Sequence, residues 1–180
     1  MKLVDPDGNE QKGVRIILQF SERSDIRDAA KTRINEIKSQ YPNDKVVHIL
    51  KCHFDKLKER IESEISIASK EGYGKTKELS VFSHNGSDGP VYGFSNGYNG
   101  DLRLSKQTGN PVDINQMTIE GWKDINYNFD SQNSVASFYG CQSASFAKKF
   151  LENTNVQSAA GNPGRAGGTY SLKEISIQLC

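Results

Sequence analysis

The chain has few of the residues that staple or metallate small proteins. Its 180 residues include three cysteines, Cys52, Cys141 and Cys180, and three histidines, His48, His53 and His84. An odd set of thiols with no Cys-x-x-Cys pair excludes a disulfide framework and fits a reducing site of action. Only the adjacent Cys52-His53 approaches metal-ligand spacing, so neither a structural zinc site nor any other cofactor is expected. Charge of either sign is also not in excess, with 23 Lys+Arg against 22 Asp+Glu and a net charge of +1. No long run of one sign exists, which argues against a nucleic-acid stripe or a membrane-surface helix. Apolar runs are short: none approaches the roughly 18 residues a membrane span requires, and no charged-then-apolar leader is visible. The expectation is a water-soluble protein acting on, or binding, other proteins.

What is present is the patterning of a single domain with an alternating α/β order. Residues 1–12 are polar and contain the turn Asp5-Pro6-Asp7-Gly8, which reads as a linker ahead of a domain over 13–180. Val14 to Phe20 is a short apolar run rich in β-branched residues, the mark of a buried strand. Ile26, Ala30, Ile34 and Ile37 then recur at helical spacing, and Pro42-Asn43 ends that helix. Lys45 to Leu50 predicts a second strand. Phe54, Leu57, Ile61, Ile65 and Ala68 predict an amphipathic helix closed by Gly72 and Gly74. A third strand follows, running into His84. This β-α-β-α-β order predicts a three-layer α/β/α domain with a mostly parallel central sheet.

The second half is less regular. Residues 85–116 are rich in Gly, Asn and Ser and predict loops with a small hairpin over the carboxyl edge of the sheet. Residues 114–125 predict a helix, with Asp113 or Thr118 as its cap. Ser134 to Gly140 predicts another strand, Ser143 to Leu151 a helix and Val156 to Ala160 a strand. A glycine-rich loop over 161–168 and a final strand over 170–179 complete the reading.

Two strand ends carry the chemistry. Glu78-Leu79-Ser80-Val81-Phe82-Ser83-His84-Asn85-Gly86 brings a histidine to the end of one strand, and Ser134-Val135-Ala136-Ser137-Phe138-Tyr139-Gly140-Cys141 brings a cysteine to the end of another. In an α/β sheet the carboxyl ends of neighbouring strands are where ligands collect. A thiolate nucleophile needs a base in reach, and a helix start behind Cys141 would favour the anion. Cys141 is therefore the expected nucleophile and His84 its general acid/base, with the backbone of Asn85, Gly86 and Cys141 as oxyanion donors. Tyr139, Asp88 and Arg165 are expected to contact substrate. Each residue also has an ordinary structural explanation: a small buried thiol, a hydrogen-bonded edge histidine, a solvated loop charge. Cys52-His53, also at a strand end, is a competing pair that packs or caps there in the simpler reading. His48 lies inside a strand and Cys180 is expected to be exposed and idle. The 161–168 loop lacks the Lys-Ser/Thr ending of a phosphate loop.

These segments have a counterpart in a known family. Leu79 to Gly89 followed by Val91-Tyr92-Gly93 resembles the histidine segment of caspase-like cysteine peptidases, in which an apolar strand runs into Ser-His-Gly and a short hairpin. Val135 to Ser143 is similar to the matching nucleophile strand. The resemblance covers 13–160 in layout and only these two motifs in sequence. It implies a Cys-His dyad hydrolysing peptide bonds without a metal. One position departs from the pattern: Asn85 stands directly after the histidine where the family has glycine, so the identity of the second oxyanion donor does not carry over, nor does cleavage specificity. Leu3-Val4-Asp5-Pro6-Asp7-Gly8 is similar to the segment closing the core of bacterial RHS-repeat proteins, before their variable toxin tips. That resemblance implies a secreted effector delivered into the cytoplasm of a competing cell, with a protein substrate and a cognate immunity protein as partners. Two alternatives stay open: a non-catalytic protein-binding module, and a toxin enzyme of another class on a flavodoxin-like sheet.

Overall fold

The computed structural model describes residues 12–86, 88–92 and 116–164. Its elements run β1 (Val14–Gln19), α1 (Ser24–Gln40), β2 (Lys45–Leu50), α2 (Phe54–Lys70), β3 (Thr76–Phe82), β4 (His84–Gly86), β5 (Gly89–Val91), α3 (Ile119–Lys123), β6 (Val135–Tyr139), α4 (Ala144–Asn153) and β7 (Ser158–Gly161). A five-stranded sheet in the order β2-β1-β3-β6-β7 forms the centre, and every pairing in it is parallel. The domain is thus a three-layer α/β fold around a parallel sheet, as the alternation of elements predicts.

The strand order fixes where the helices go. From β1 to β2 the chain steps one way across the sheet; every later crossover steps the other way. Right-handed crossovers then put α1 on one face and α2, α3 and α4 on the opposite face. The core divides accordingly. Phe54, Leu57 and Ile61 of α2, Trp122 of α3 and Phe146 and Phe150 of α4 share the larger cluster, with Ile16, Leu18, Leu79, Val81 and Phe138 from the sheet. Ile26, Ala30 and Ile37 of α1 cover the other face with Ile17 and Phe82. Trp122 is the hub of the larger cluster, in edge contact with Phe54 at 5.9 Å and Phe146 at 5.8 Å between ring centres.

The α1 face also carries a buried ionic knot. Glu78 on β3 receives Arg33 of α1 through two bonds of 2.8 Å, Arg15 of β1 at 2.9 Å and the Ser80 hydroxyl at 2.7 Å. Burial works to raise the Glu78 carboxyl, but the bonds from Arg33, Ser80 and Arg15 outweigh it and hold the group below its ordinary value. The knot ties α1, β1 and β3 together in the amino-terminal half of the strands. At the amino edge of the sheet, α2 stops because Gly72 takes a φ of +87° and Tyr73 N–H returns to Ala68 O at 3.0 Å.

Several boundaries differ from the sequence reading. The third strand ends at Phe82 rather than running into the histidine, and His84 instead opens the antiparallel hairpin β4–β5. Helix α3 is only Ile119–Lys123, and Thr118 precedes it without a side-chain capping bond. The linker at 1–11, Asp113 and the expected strand at 170–179 lie outside the described residues.

Candidate active site

Strands β3 and β6 pair in parallel through Phe82 and Tyr139, and Ser83 N–H donates to Tyr139 O at 3.3 Å just beyond the last pair. The ladder ends there, and Ser83 and Gly140 lead on to His84, which opens the hairpin, and to Cys141. Both are half-buried at the carboxyl edge of the sheet. Parallel neighbours lie about 4.8 Å apart, so the two expected residues stand at adjoining chain segments despite their separation in sequence. The approach depends on Gly140. A Cβ there would lie 2.6 Å from Ser83 O and 2.7 Å from Asn85 Cγ, so any larger residue would push the two segments apart. Below them, Phe82 and Tyr139 stack at 4.4 Å with their planes 5° from parallel. Tyr139 therefore gives one ring face to Phe82 and forms the floor of the site; burial raises its phenol above the ordinary value.

The hairpin explains how the histidine is held. β4 and β5 pair His84 with Val91, Asn85 with Pro90 and Gly86 with Gly89. Proline has no N–H to exchange, so the Asn85–Pro90 pair is not hydrogen-bonded and Asn85 directs its own amide to the side of β4 away from β5. Gly86 lies in the ladder opposite Gly89. Of the expected oxyanion donors on the hairpin, Asn85 thus has its amide turned away from β5, and Gly86 does not. Ser83 Oγ donates to Asn85 Oδ1, fixing the side chain against Gly140. The hairpin tip rests on α4: Gly89, at φ +129°, lies so close to Phe146 that a Cβ would meet its ring at 2.8 Å. Asp88, expected to contact substrate, lies at that tip, at the opposite end of the hairpin from His84. Arg165 lies outside the described residues.

The cysteine turn is fixed from the other side. Gln142 has φ +55° and its N–H donates to Gly164 O at 2.9 Å, while Ala144 N–H donates to Asn162 O at 3.1 Å. Ser143 Oγ lies 2.7 Å from Phe138 O and 3.1 Å from Gly140 O, and accepts Asn162 N–H at 2.8 Å. One buried hydroxyl thus joins the end of β6, the turn and the exit of β7. The helix behind Cys141 begins at Ala144, in time for its positive end to face the turn.

The competing pair is a different object. Cys52 Sγ lies 3.6 Å from His53 O, the backbone carbonyl rather than the imidazole. Its thiol is pushed above the ordinary value, mainly by burial, with Arg60 opposing and Asp55 adding to the rise. That is the reverse of an activated nucleophile. His53 instead meets Tyr92, with Nε2 3.2 Å from Tyr92 Oη and ring centres 4.2 Å apart. The sequence predicts a small hairpin in this stretch, with Tyr92 beside it, but the contact of Tyr92 with His53 follows only from how the hairpin packs on the β2–α2 turn. His48, on β2, is hydrogen-bonded to Gln19 at 3.1 Å, in keeping with a structural role.

Among the described residues no group of three or more His, Cys, Asp or Glu is arranged to hold a metal, and no helix is long and apolar enough to cross a membrane. A cavity of about 260 Å³ lies at the amino edge of the sheet, lined by Arg15, Tyr41, Asp44, Lys77, Ser134 and Gln157 among others. Its charges answer one another: Arg15 is bonded to Asp44 at 2.8 Å and sits 3.5 Å over the Tyr41 ring. It is at the far end of the strands from His84 and Cys141.

Comparison of the chain with protein-family models, with curated proteins and with solved structures returns no significant match.

Proposed function

We propose that the protein is a cysteine peptidase in which Cys141 is the nucleophile and His84 the general acid/base. The observation that supports this reading is the pairing of β3 with β6 and the close approach of Gly140 to Ser83, so that the chain segments carrying His84 and Cys141 adjoin at the carboxyl edge of the sheet. Cys141 Sγ attacks the scissile carbonyl carbon once its proton has passed to His84. The amine leaves with that proton, and water, deprotonated by His84, hydrolyses the thioester and returns the free thiol. The backbone amides of Cys141 and Asn85 are the donors assigned to the developing oxyanion, each of a kind worth about 3 kcal/mol of barrier. A caspase-like family relation and delivery as an RHS-type toxin tip, with an immunity protein as its partner, belong to the same proposal and rest on the short sequence motifs alone.

The test is expression of wild type, Cys141→Ala and His84→Ala in the bacterial cytoplasm, scored for growth arrest and for new protein N-termini by mass spectrometry. Cys141→Ala is expected to leave no new termini, and His84→Ala to lower their formation by about 10²–10⁴-fold. Wild-type behaviour from either variant would overturn the reading.

A further inference from the structure

The histidine hairpin is held at three points. At its root Ser83 N–H bonds Tyr139 O, and at its tip Gly89 rests on Phe146 while Gln116 Nε2 donates to Gly89 O at 3.3 Å. The third point is its exit. Val91 is the cross-strand partner of His84, and Tyr92 follows it directly. Tyr92 lays its ring against His53 at 4.2 Å and the edge of Phe20 at 6.4 Å, and its hydroxyl lies 3.3 Å from Lys51 O and 3.2 Å from His53 Nε2. Lys51 O can only accept, so closing both contacts at once requires the phenolic proton there and a hydrogen on His53 Nε2. Both anchors sit on the rigid turn between β2 and α2, the latter a 17-residue helix sealed into the core by Phe54 and Leu57.

We propose that Tyr92 and His53 are positioning residues for His84, working through Val91 to hold the imidazole at the thiol of Cys141; this rests on the Cys141–His84 reading above. The clasp joins an element remote from the dyad, the start of α2, to the strand paired with His84. A three-residue hairpin is marginal by itself in water, so its geometry is set by what it is fastened to. Without the clasp the second strand keeps its bridge from Val91 to Gln116 but loses the anchor at its exit, and the His84–Val91 end of the hairpin is loosened. His53 is a positioning residue here rather than a competing base, which explains why its imidazole faces Tyr92 and not Cys52.

Two measurements on the full chain test this. Hydrogen exchange of the Asn85–Val91 segment is compared between wild type, Tyr92→Ala, His53→Ala and His53→Gln, whose side-chain amide can replace the Nε2–H. Expected are at least about tenfold faster exchange in Tyr92→Ala and His53→Ala and recovery toward wild type in His53→Gln, with α1 exchange unchanged. Alkylation of Cys141 by iodoacetamide, quantified on its own peptide from pH 5.5 to 9, is the second readout. The alanine variants should lose the low-pH reactivity that His84 confers, as His84→Ala does, while His53→Gln retains it. Unchanged hairpin exchange in Tyr92→Ala overturns the positioning role whatever Cys141 does. A Cys141 whose reactivity ignores His84→Ala overturns the catalytic reading, and the role of His53 and Tyr92 as positioners of a catalytic base with it, even where the exchange data show that they anchor the hairpin. Faster exchange joined to an unaltered Cys141 profile, in a protein where His84→Ala does alter it, overturns the coupling of clasp to dyad.

Discussion

At the end of β2 the chain runs Leu50, Lys51, Cys52, His53 into α2; at the end of β6 it runs Tyr139, Gly140, Cys141, Gln142, Ser143 into α4. Each turn holds a cysteine, a non-glycine residue at positive φ (Lys51 at 50°, Gln142 at 55°) and a helix start. Their neighbours separate them. β2 is the outer strand of the sheet beside β1 alone, whereas β6 lies between β3 and β7. Among the described residues, β6 has in β3 a neighbour that a histidine follows two residues beyond its last pair. Cys52 turns to a backbone carbonyl and is raised by burial, and its adjacent histidine serves the hairpin instead. Adjacency in sequence did not make Cys52 and His53 partners, because each side chain turns to a different neighbour.

The sharpest way to break this comparison is to remove the thiols in turn. Cys141→Ser should abolish protein cleavage, and Cys52→Ser should leave it within about twofold, because serine there keeps a small group at a site the reaction does not use. The Cys52 thiolate should also form only above the ordinary thiol value of 9.0, so its alkylation at pH 7 should be slower than that of a free thiol. Rapid labelling of Cys52 at neutral pH would erase the distinction.

Next in size is the knot that holds β1 against β3 between the two ends. Glu78→Gln leaves Arg15 and Arg33 without their shared buried carboxylate and should cost about 3–5 kcal/mol in urea unfolding. Because the folded carboxyl is held below its unfolded value, its contribution is present above the unfolded value near 4.5 and is lost as pH falls through the folded one. Wild type should therefore lose stability on acidification below pH 4.5 more steeply than Glu78→Gln does.

Gly140→Ala probes the junction itself. With a Cβ 2.6 Å from Ser83 O, the variant should lose about 1–3 kcal/mol and a disproportionate share of activity, since the displacement falls between His84 and Cys141. Retained activity would show that the two segments need not touch there. The smallest effect is at the strained turns. Gln142→Gly should gain about 1 kcal/mol by relieving a left-handed residue. Lys51→Gly should gain less, because it also gives up the ion pair with Glu22.

The layout was legible from periodicity because burial leaves a regular mark. α2 announced itself through Phe54, Leu57, Ile61, Ile65 and Ala68, all of which face the core. His84 and Cys141 were legible as residues beyond strand ends, and the pairing of β3 with β6 places those two ends next to each other. What misled was the apolar run into Ser83-His84, read as one strand. The break at Ser83 comes from a change of partner, from β6 in the parallel sheet to β5 in a hairpin, and no local pattern encodes a partner. Tyr92 and Ser143 escaped for the same reason, since a phenol and a hydroxyl acquire roles only from what lies across from them.

The sequence by itself determined the alternation of strands and helices, the parallel sheet and the short list of groups able to do chemistry, because side-chain periodicity and thiol or imidazole chemistry are local properties. The tertiary structure alone decided which strand ends adjoin, since that depends on strand order and register. Those follow from the packing of whole layers, with a closely packed glycine, a stacked aromatic pair and a buried carboxylate fixing the final alignment.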